Sequence, residues 1–383
     1  MDFSWEVPTR IHFGTKIYEK ALEKEKECLS GAVLLVTTGK TLRQNGYIDE
    51  VAGIIRQNGA SDVIEYTGAG ANPTVIEAME AGKLAKECNV RSVVAFGGGS
   101  AMDLAKAAAV AAVSDIPVQK YLCQGIPAPK ETLPVIAIPT TAGTGSELSK
   151  AAILSDEQLK IKGGVRGRYL TPRVAIVDPF FTWTMPRQLT METGFDALAH
   201  AVESYLSVNS NVYSRMLSKK AISIIGQCLP DLVRNLDRPK DREKMSYASM
   251  LMGMNLYNVG TCLPHRMQYP IGAVTGSSHP AGLAALYPAW IEEEFEVSMK
   301  QINNVLRWLG FPVASNGTEA GQLIQSFLSD VGLSKATLPN LGITKEMLPD
   351  LAEAVSGNIA SDRLAIEEGV LLRVYEKAFY YKD

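Results

Sequence analysis

The sequence predicts two domains, a doubly wound α/β domain over residues 1–185 and an all-α domain over residues 186–383. The chain has 383 residues, which is about two to three times the usual domain length. In the first half, short runs of Val, Ile, Leu and Ala without polar alternation separate amphipathic stretches, a pattern typical of parallel strands covered by helices on both faces. After residue 179 such runs stop and only helical periodicities follow.

Strands and helices alternate in the predicted α/β domain. Strands are predicted at residues 32–36, 63–66, 92–96, 134–139 and 174–179. Helices are predicted where apolar residues recur three and four positions apart, at residues 41–57, at residues 74–88 and from Ser100 onward. The alternation indicates parallel strands joined by crossover helices.

Long helical patterns occupy the second half. They cover residues 191–206, 212–229 and 242–256. No internal repeat and no low-complexity linker separates the two halves. We therefore place the domain boundary near residue 185.

The composition excludes several classes of protein. Hydrophobic residues make up 46% and charged residues 21% of the chain, the balance of a folded protein with a sizeable core. Lys and Arg number 38 against 41 Asp and Glu, a net charge of −3, so no broad basic field is available for nucleic acid or an anionic membrane. The N-terminus lacks the apolar segment of a secretory signal and no apolar run reaches the ~20 residues of a membrane helix. We expect a cytoplasmic protein whose five scattered cysteines are reduced.

Two glycine-rich loops each follow a predicted strand. Gly97-Gly98-Gly99-Ser100 also opens a helix, where backbone amides can approach a phosphate without a Cβ in the way. The second loop, residues 139–147, has the sequence PTTAGTGSE, and its hydroxyls and glycines suit a pyrophosphate or a ribose. In an open α/β sheet, loops at the carboxyl ends of the strands share one crevice. A bare GGGS can also be a tight turn, and Asp103 can bind a ligand or complement the helix dipole.

A candidate metal site begins with Asp196 and His200. They are four residues apart, so a helix projects both from one face. The alternative is a polar pair on an exposed face, but Phe195, Leu198 and Val202 surround the pair. An ionised Asp buried without a partner would be strongly destabilising. A bound cation would remove that penalty.

His265 and His279 are the other candidate ligands. On one continuous helix their 14-residue separation would hold them roughly 21 Å apart. The segment between them is interrupted by glycine and proline, which allows a helix, a reversal and a second helix start that return His279 to His265. The interrupting residues are Pro270, Gly272, Gly276 and Pro280. One Asp with three His suits Fe(II) or Zn(II) and is too rich in nitrogen for Mg(II) or Ca(II).

Taken together, these segments resemble the metal-dependent, iron-containing group III alcohol dehydrogenases over nearly the whole chain. The resemblance is carried by GGGSAMDLAK at 97–106, IPTTAGTGSE at 138–147, VAIVDP at 174–179, GFDALAHAVESY at 194–205 and the two later histidines. It implies a dinucleotide-binding N-terminal domain, a metal-binding helical domain of the kind also found in dehydroquinate synthase, and a homodimer or higher homo-oligomer.

The resemblance also implies a set of site residues. The implied metal ligands are Asp196, His200, His265 and His279. The implied NAD(P) contacts are Asn72, Gly99, Ser100, Thr140, Thr141, Thr144 and Lys162. The loops add three further candidate cofactor contacts, Gly39, Gly98 and Asp103. These assignments predict a metal-dependent aldehyde reductase or alcohol dehydrogenase.

Two departures from the family pattern affect the predicted chemistry. Many relatives carry a histidine near the nicotinamide where this chain has Tyr269. Tyr269, or a chain of water molecules to the surface, is therefore the candidate for proton exchange, and the candidate catalytic residues are Tyr269 and the ligand His279. Many NAD-dependent members have an Asp after the first strand, where this chain has Gly39 and Lys40. A 2′-phosphate would be tolerated there, so NAD is expected and NADP remains open.

Arg266 is the candidate substrate-binding residue, because relatives frequently have Gly beside this ligand histidine. A guanidinium can hold a sulfonate, phosphonate or carboxylate in two charge-assisted hydrogen bonds. The alternative is a salt bridge to a nearby Asp or Glu. The local variant resembles the sulfoacetaldehyde reductase branch, so reduction of sulfoacetaldehyde to isethionate is the first expectation. Phosphonoacetaldehyde, lactaldehyde or a general range of aldehydes are alternatives, and a non-redox lyase like dehydroquinate synthase is a more remote one.

Overall fold

The computed structural model describes residues 2–68, 70, 72–159 and 161–381. These residues form two compact units. One unit is Glu6–Thr184, and the other is Met185–Asp383 together with Met1–Trp5. In the second unit the rings of Phe3 and Trp5 each lie 5.7 Å from the ring of Tyr213. The first residues of the chain thus pack on the helical unit.

The α/β unit is built on a six-stranded parallel sheet. Its strands lie in the order β1-β8-β5-β4-β2-β3, and β6 and β7 form a separate antiparallel pair. The strands are β1 (Arg10–Phe13), β2 (Gly31–Thr37), β3 (Ala60–Tyr66), β4 (Val90–Gly97), β5 (Val135–Pro139), β6 (Ala151–Asp156), β7 (Ile161–Arg166) and β8 (Val174–Val177). All five predicted strands are confirmed, and β1, β6 and β7 are additional.

Helices cover both faces of this sheet, as the unbroken apolar runs predicted. Leu34 and Val36 of β2 pack into one hydrophobic core, and Val33 and Leu35 pack into the other. Successive side chains of a strand point to opposite faces, so a strand between two cores must be apolar at every position. The α/β unit is therefore doubly wound.

The helices of the α/β unit follow the predicted pattern with one difference. They are α1 (Tyr18–Lys24), α2 (Lys40–Gln44), α3 (Tyr47–Gln57), α4 (Val75–Glu87), α5 (Gly99–Ala111) and α6 (Val118–Gln124). The single helix predicted at residues 41–57 is two helices, because Gly46 has a φ of 74°, a left-handed conformation that ends a helix. Thr74 and Glu77 form a capping box at the start of α4.

Among its described residues, the second unit contains helices, turns and loops but no strand. Its helices are α7 (Arg187–Leu206), α8 (Val212–Arg234), α9 (Pro239–Asn258), α10 (Leu263–Thr275), α11 (His279–Leu309), α12 (Gly317–Asp330), α13 (Leu348–Glu353) and α14 (Val370–Tyr380). The three predicted helices correspond to α7, α8 and α9. Nearly every residue of α7 from Thr190 onward is buried, so this helix is central to its unit. Among the described residues, no helix is long and apolar enough to cross a membrane.

Candidate metal centre and glycine-rich loops

The central helix α7 supplies the first two residues of the candidate metal centre. Asp196 is 1% exposed and His200 is 5% exposed. They lie one helical turn apart, with His200 Nδ1 3.9 Å from Asp196 Oδ1. The spacing of four residues thus places both on one face of a buried helix, as predicted.

A chain reversal between α10 and α11 brings in the other two histidines. His265 lies in the first turn of α10, and His279 is the first residue of α11. Gly276 ends α10 with a φ of +66°, which reverses the chain. His265 Nε2 lies 3.7 Å and His279 Nε2 3.6 Å from Asp196 Oδ1, and the ring of His200 stacks on that of His265 at 4.5 Å. The fold therefore brings all four predicted ligands together.

The atoms that face one another in this cluster fit a metal ion. Ligand atoms of Asp196, His265 and His279 all lie within 4.8 Å of one another. Among the described residues, Asp196 Oδ1 and His265 Nε2 are buried without a hydrogen-bond partner. Separations of 3.6–3.9 Å are too long for hydrogen bonds and close to the ~3.3–3.6 Å between ligands in a tetrahedral shell with bonds of ~2.0–2.2 Å. A divalent cation that accepts nitrogen and oxygen would satisfy both atoms.

The electrostatics of the cluster favour a positive charge. Burial alone would raise the pKa of Asp196, but His200, His265 and His279 hold it below its ordinary value. Burial alone would lower the pKa of His265, but Glu203 and Asp196 outweigh burial and raise it to about 10. The carboxylates that face His265 therefore favour a positive charge at this position, which a bound cation would supply.

Two residues that the sequence analysis missed hold the outer nitrogens of the histidines. His265 Nδ1 lies 2.7 Å from Glu203 Oε1, and Glu203 Oε2 accepts the Cys262 N–H at 2.8 Å. His279 Nδ1 donates to Gln268 Oε1. Such partners fix the ring orientation of a metal-binding histidine and leave the other nitrogen for the ion. The spacing of Asp196, His200 and Glu203, at i, i+4 and i+7 on α7, is a sequence signal that could have identified Glu203.

Arg266 and Tyr269 lie beside this cluster. Arg266 is 8% exposed, its Nη2 donates to Thr261 Oγ1 at 3.2 Å, and its guanidinium carbon lies 5.8 Å from the centre of the Tyr269 ring. The Tyr269 ring in turn stacks at 6.1 Å on that of His279. Within the described part of the chain, no carboxylate lies within 4.0 Å of Arg266, and its Nε has no hydrogen-bond partner. The salt bridge considered as the alternative role of Arg266 is therefore not formed there.

In the α/β unit, the two glycine-rich loops follow β4 and β5, which are neighbours in the sheet. The Thr140 N–H donates to Gly97 O at 2.9 Å. A Cβ on Gly99 would lie 2.6 Å from Thr144 Cγ2, and one on Gly98 would lie 3.3 Å from Thr141 Cγ2. The backbone of the first loop thus packs against side chains of the second, and a Cβ on Gly99 would force Thr144 to move.

The other predicted cofactor residues fall into three places. Lys162 Nζ donates to Asn72 Oδ1 at 3.0 Å, so these two residues are brought together across 90 positions of sequence. Gly39 has a φ of +87° and open space where a Cβ would stand. Ser100 lies in the first turn of α5.

Asp103 is engaged within the protein. It accepts hydrogen bonds from Ser146 Oγ and, at 2.9 Å, from the Ile153 N–H. It also pairs at 3.2 Å with Lys106, a fully buried lysine whose ammonium donates to Ser146 O at 3.0 Å. Asp103 thus connects α5 to the loop after β5.

Two family descriptions cover most of the chain. Residues 8–179 match "Iron-containing alcohol dehydrogenase". Residues 190–376 match "Fe-containing alcohol dehydrogenase family, C-terminal".

Individual relatives agree with these matches. Long-chain-alcohol dehydrogenase 1 of Geobacillus thermodenitrificans is 35% identical over 97% of this chain and 95% of its own length. The crystal structure of an archaeal halo-thermophilic alcohol dehydrogenase from a Red Sea brine pool superimposes with a TM-score of 0.92 at 27% identity, covering 99% of both chains. A sulfoacetaldehyde reductase from Bifidobacterium kashiwanohense, in complex with NAD+, superimposes with a TM-score of 0.88 at 26% identity over all of both chains.

Proposed function

Because the chain belongs to the iron-containing alcohol dehydrogenase family and is an oxidoreductase, we propose that it reversibly reduces a small anionic aldehyde with NAD(P)H and a bound Fe(II) or Zn(II). The proposed metal ligands are Asp196, His200, His265 and His279. The observation that carries this proposal is the pair of buried, unsatisfied atoms Asp196 Oδ1 and His265 Nε2. They face each other across a gap that a divalent cation would fill.

The cofactor is assigned to the glycine-rich loops. Gly98, Gly99 and Ser100 stand at the N-terminus of α5, where backbone amides and the helix dipole favour a phosphate. The hydroxyls of Thr140, Thr141 and Thr144, together with Asn72 and Lys162, supply further polar contacts to the dinucleotide. The NAD+ complex of the similar sulfoacetaldehyde reductase supports NAD, while the open space at Gly39 would also admit NADP.

The residues of the helical unit then have distinct tasks. When bound, the metal supplies Lewis acidity toward the carbonyl oxygen and the nicotinamide supplies the hydride. Glu203 and Gln268 orient the rings of His265 and His279. Tyr269 is half-buried and stacks on His279, so its Oη is assigned to exchange the proton of the product hydroxyl with solvent.

Arg266 supports an anionic substrate. Its side chain is buried, and no carboxylate of the described residues forms an ion pair with it. An anionic group on the aldehyde would supply that partner. Charge-assisted hydrogen bonds of ~1.5–3 kcal/mol would favour the anionic aldehyde by ~10- to 150-fold. Sulfoacetaldehyde is the first candidate, with phosphonoacetaldehyde and lactaldehyde next.

The test compares kcat/KM for sulfoacetaldehyde and for propanal, with NADH and with NADPH, on protein loaded with Fe(II) or with Zn(II). Arg266→Gln should remove the preference for the sulfonate while propanal turnover changes little. Arg242→Gln is the matched control, because Arg242 is also buried and bonds Thr190 Oγ1 and Met185 O. Equal rates for both aldehydes would make the enzyme a general aldehyde reductase, and no oxidation of NADH or NADPH with any aldehyde would refute the proposed reaction.

A further inference from the structure

The outer nitrogens of two histidines in the metal cluster have partners of different charge. His265 Nδ1 faces the carboxylate of Glu203, and His279 Nδ1 faces the amide of Gln268. We propose that Gln268 is a positioning residue that makes His279 a weaker and more readily exchanged metal ligand than His265. This inference rests on the metal site of the proposed function.

The charge of the partner sets how strongly each ring can bind a cation. A carboxylate that accepts the Nδ1–H of an imidazole increases the basicity of its Nε2. A neutral amide makes a weaker hydrogen bond than a carboxylate does. Consequently Glu203 strengthens His265 as a ligand more than Gln268 strengthens His279.

The chemistry of the amide also permits two states of His279. With Oε1 toward the ring, as in this structure, Nδ1 carries the proton and the Nε2 lone pair faces Asp196. A half-turn of the amide would present its NH2 group, so Nδ1 would accept and the proton would stand on Nε2, where it blocks metal binding. A carboxylate can support only the first of these tautomers.

The side chain of Gln268 is enclosed, with two glycines beside it. Gln268 is fully buried, and its Nε2 has no hydrogen-bond partner among the described residues. A Cβ on Gly272 would lie 2.9 Å from that Nε2, and one on Gly282 would lie 2.7 Å from Gln268 Cγ. Two glycines thus leave room for the amide, and no described neighbour fixes its NH2 group.

Exposure points to the same histidine. The side chain of His279 is 25% exposed, against 7% for His200 and 4% for His265. Water or a chelator can therefore reach His279 first. Because His279 is both weaker and more exposed than His265, we expect it to dissociate from the metal before His265 does.

The test uses Co²⁺ as a visible probe and measures its rate of release to an excess of chelator. Gln268→Glu should slow release, and Gln268→Met should accelerate it, each by about tenfold or more. The visible band of Co²⁺ should shift in both variants. If Gln268 only fills space, Gln268→Met will match the wild type and Gln268→Glu, which buries a charge, will release Co²⁺ faster. That order would overturn the inference.

Two further variants distinguish an effect of the Gln268 amide on metal release from a general loss of stability. Gly282→Ala displaces the same amide without altering it, and should also accelerate release. Asn255→Asp is the control for lost stability, because Asn255 is equally buried and its amide donates to Ser214 O at 3.1 Å and Ser218 Oγ at 3.0 Å. It should lower the melting temperature without changing the release rate.

Nitrogen NMR of the metal-free protein provides a measurement that does not require a bound metal. The ¹⁵N shifts of His279 should show both tautomers in the wild type and the Nδ1–H form alone in Gln268→Glu. A single, unchanged tautomer in both proteins would contradict the inference. Failure of the wild type to bind Co²⁺ at all would instead refute the metal site itself.

Discussion

Replacing Glu203 by Gln should weaken metal binding, although Glu203 is an outer partner of His265 and not one of the proposed ligands. Glu203 is fully buried, and its two oxygens serve two donors, His265 Nδ1 at 2.7 Å and the Cys262 N–H at 2.8 Å. A Gln has one oxygen, so its NH2 group must face one of these donors. The variant therefore loses the negative charge and one hydrogen bond together.

The size of the effect follows from these two losses. A hydrogen bond to a charged group contributes about 1.5–3 kcal/mol, and loss of an outer partner typically lowers metal affinity by about 10- to 100-fold. Since 1.4 kcal/mol corresponds to about a factor of ten, the two ranges agree. We expect the Kd for Zn²⁺ or Co²⁺ to rise by about 10- to 100-fold in Glu203→Gln.

The assay is competition for the metal against a chelator of known affinity, with Glu294→Gln as the matched control. Glu294 is also a buried glutamate of the helical unit, and burial and the nearby Asp362 raise its pKa above the ordinary value. Its carboxyl accepts a hydrogen bond from Ser298 Oγ and not from a histidine of the cluster, so its replacement by Gln leaves the outer partners of the proposed ligands in place. Unchanged affinity in Glu203→Gln, or an equal loss in both variants, would refute the reasoning.

Three further predictions concern the α/β unit. Gly99→Ala should raise the Kd for NADH by about tenfold or more. The new Cβ would lie 2.6 Å from Thr144 Cγ2 and would displace the loop by more than a cofactor contact tolerates. NADH fluorescence measures the Kd, and an unchanged metal content is the control. Burial raises the pKa of Glu147 to about 7, although Lys106 opposes this effect. Between about pH 4.5 and 7 the unfolded chain therefore loses this proton more readily than the folded protein does, and the free energy of unfolding falls as pH rises. Glu147→Gln should accordingly melt higher than the wild type at pH 7.5 but not at pH 4.5, and equal differences at both pH values would contradict the assignment. Lys106→Met should lower the free energy of unfolding by about 3 kcal/mol or more, because it leaves Asp103 without its cation. Urea denaturation measures this free energy. A loss below about 1 kcal/mol would show that the ion pair contributes little.

The sequence predicted those features of this protein that depend on neighbouring residues. Unbroken apolar runs predicted the strands, because a strand between two layers of helices has no polar face. The spacing of Asp196 and His200 predicted a shared helix face, since helical geometry is fixed within one turn. The glycines and prolines after His265 predicted the reversal that returns His279, because they cannot continue a helix. The short edge strand β1 and the glycine-containing pair β6 and β7 lack such patterns and were not predicted.

Tertiary structure alone decided which side chains meet and which remain without a partner. No local pattern shows that Gln268 faces the ring of His279, or that Arg266 is buried without a carboxylate among the described residues. Asp103, by sequence equally compatible with a ligand, proved to bond Ser146 and Ile153, which lie more than 40 positions away. The strength of a charge, the satisfaction of a hydrogen bond and the completeness of a metal shell all depend on atoms contributed by distant segments. Those quantities exist only once the chain has folded.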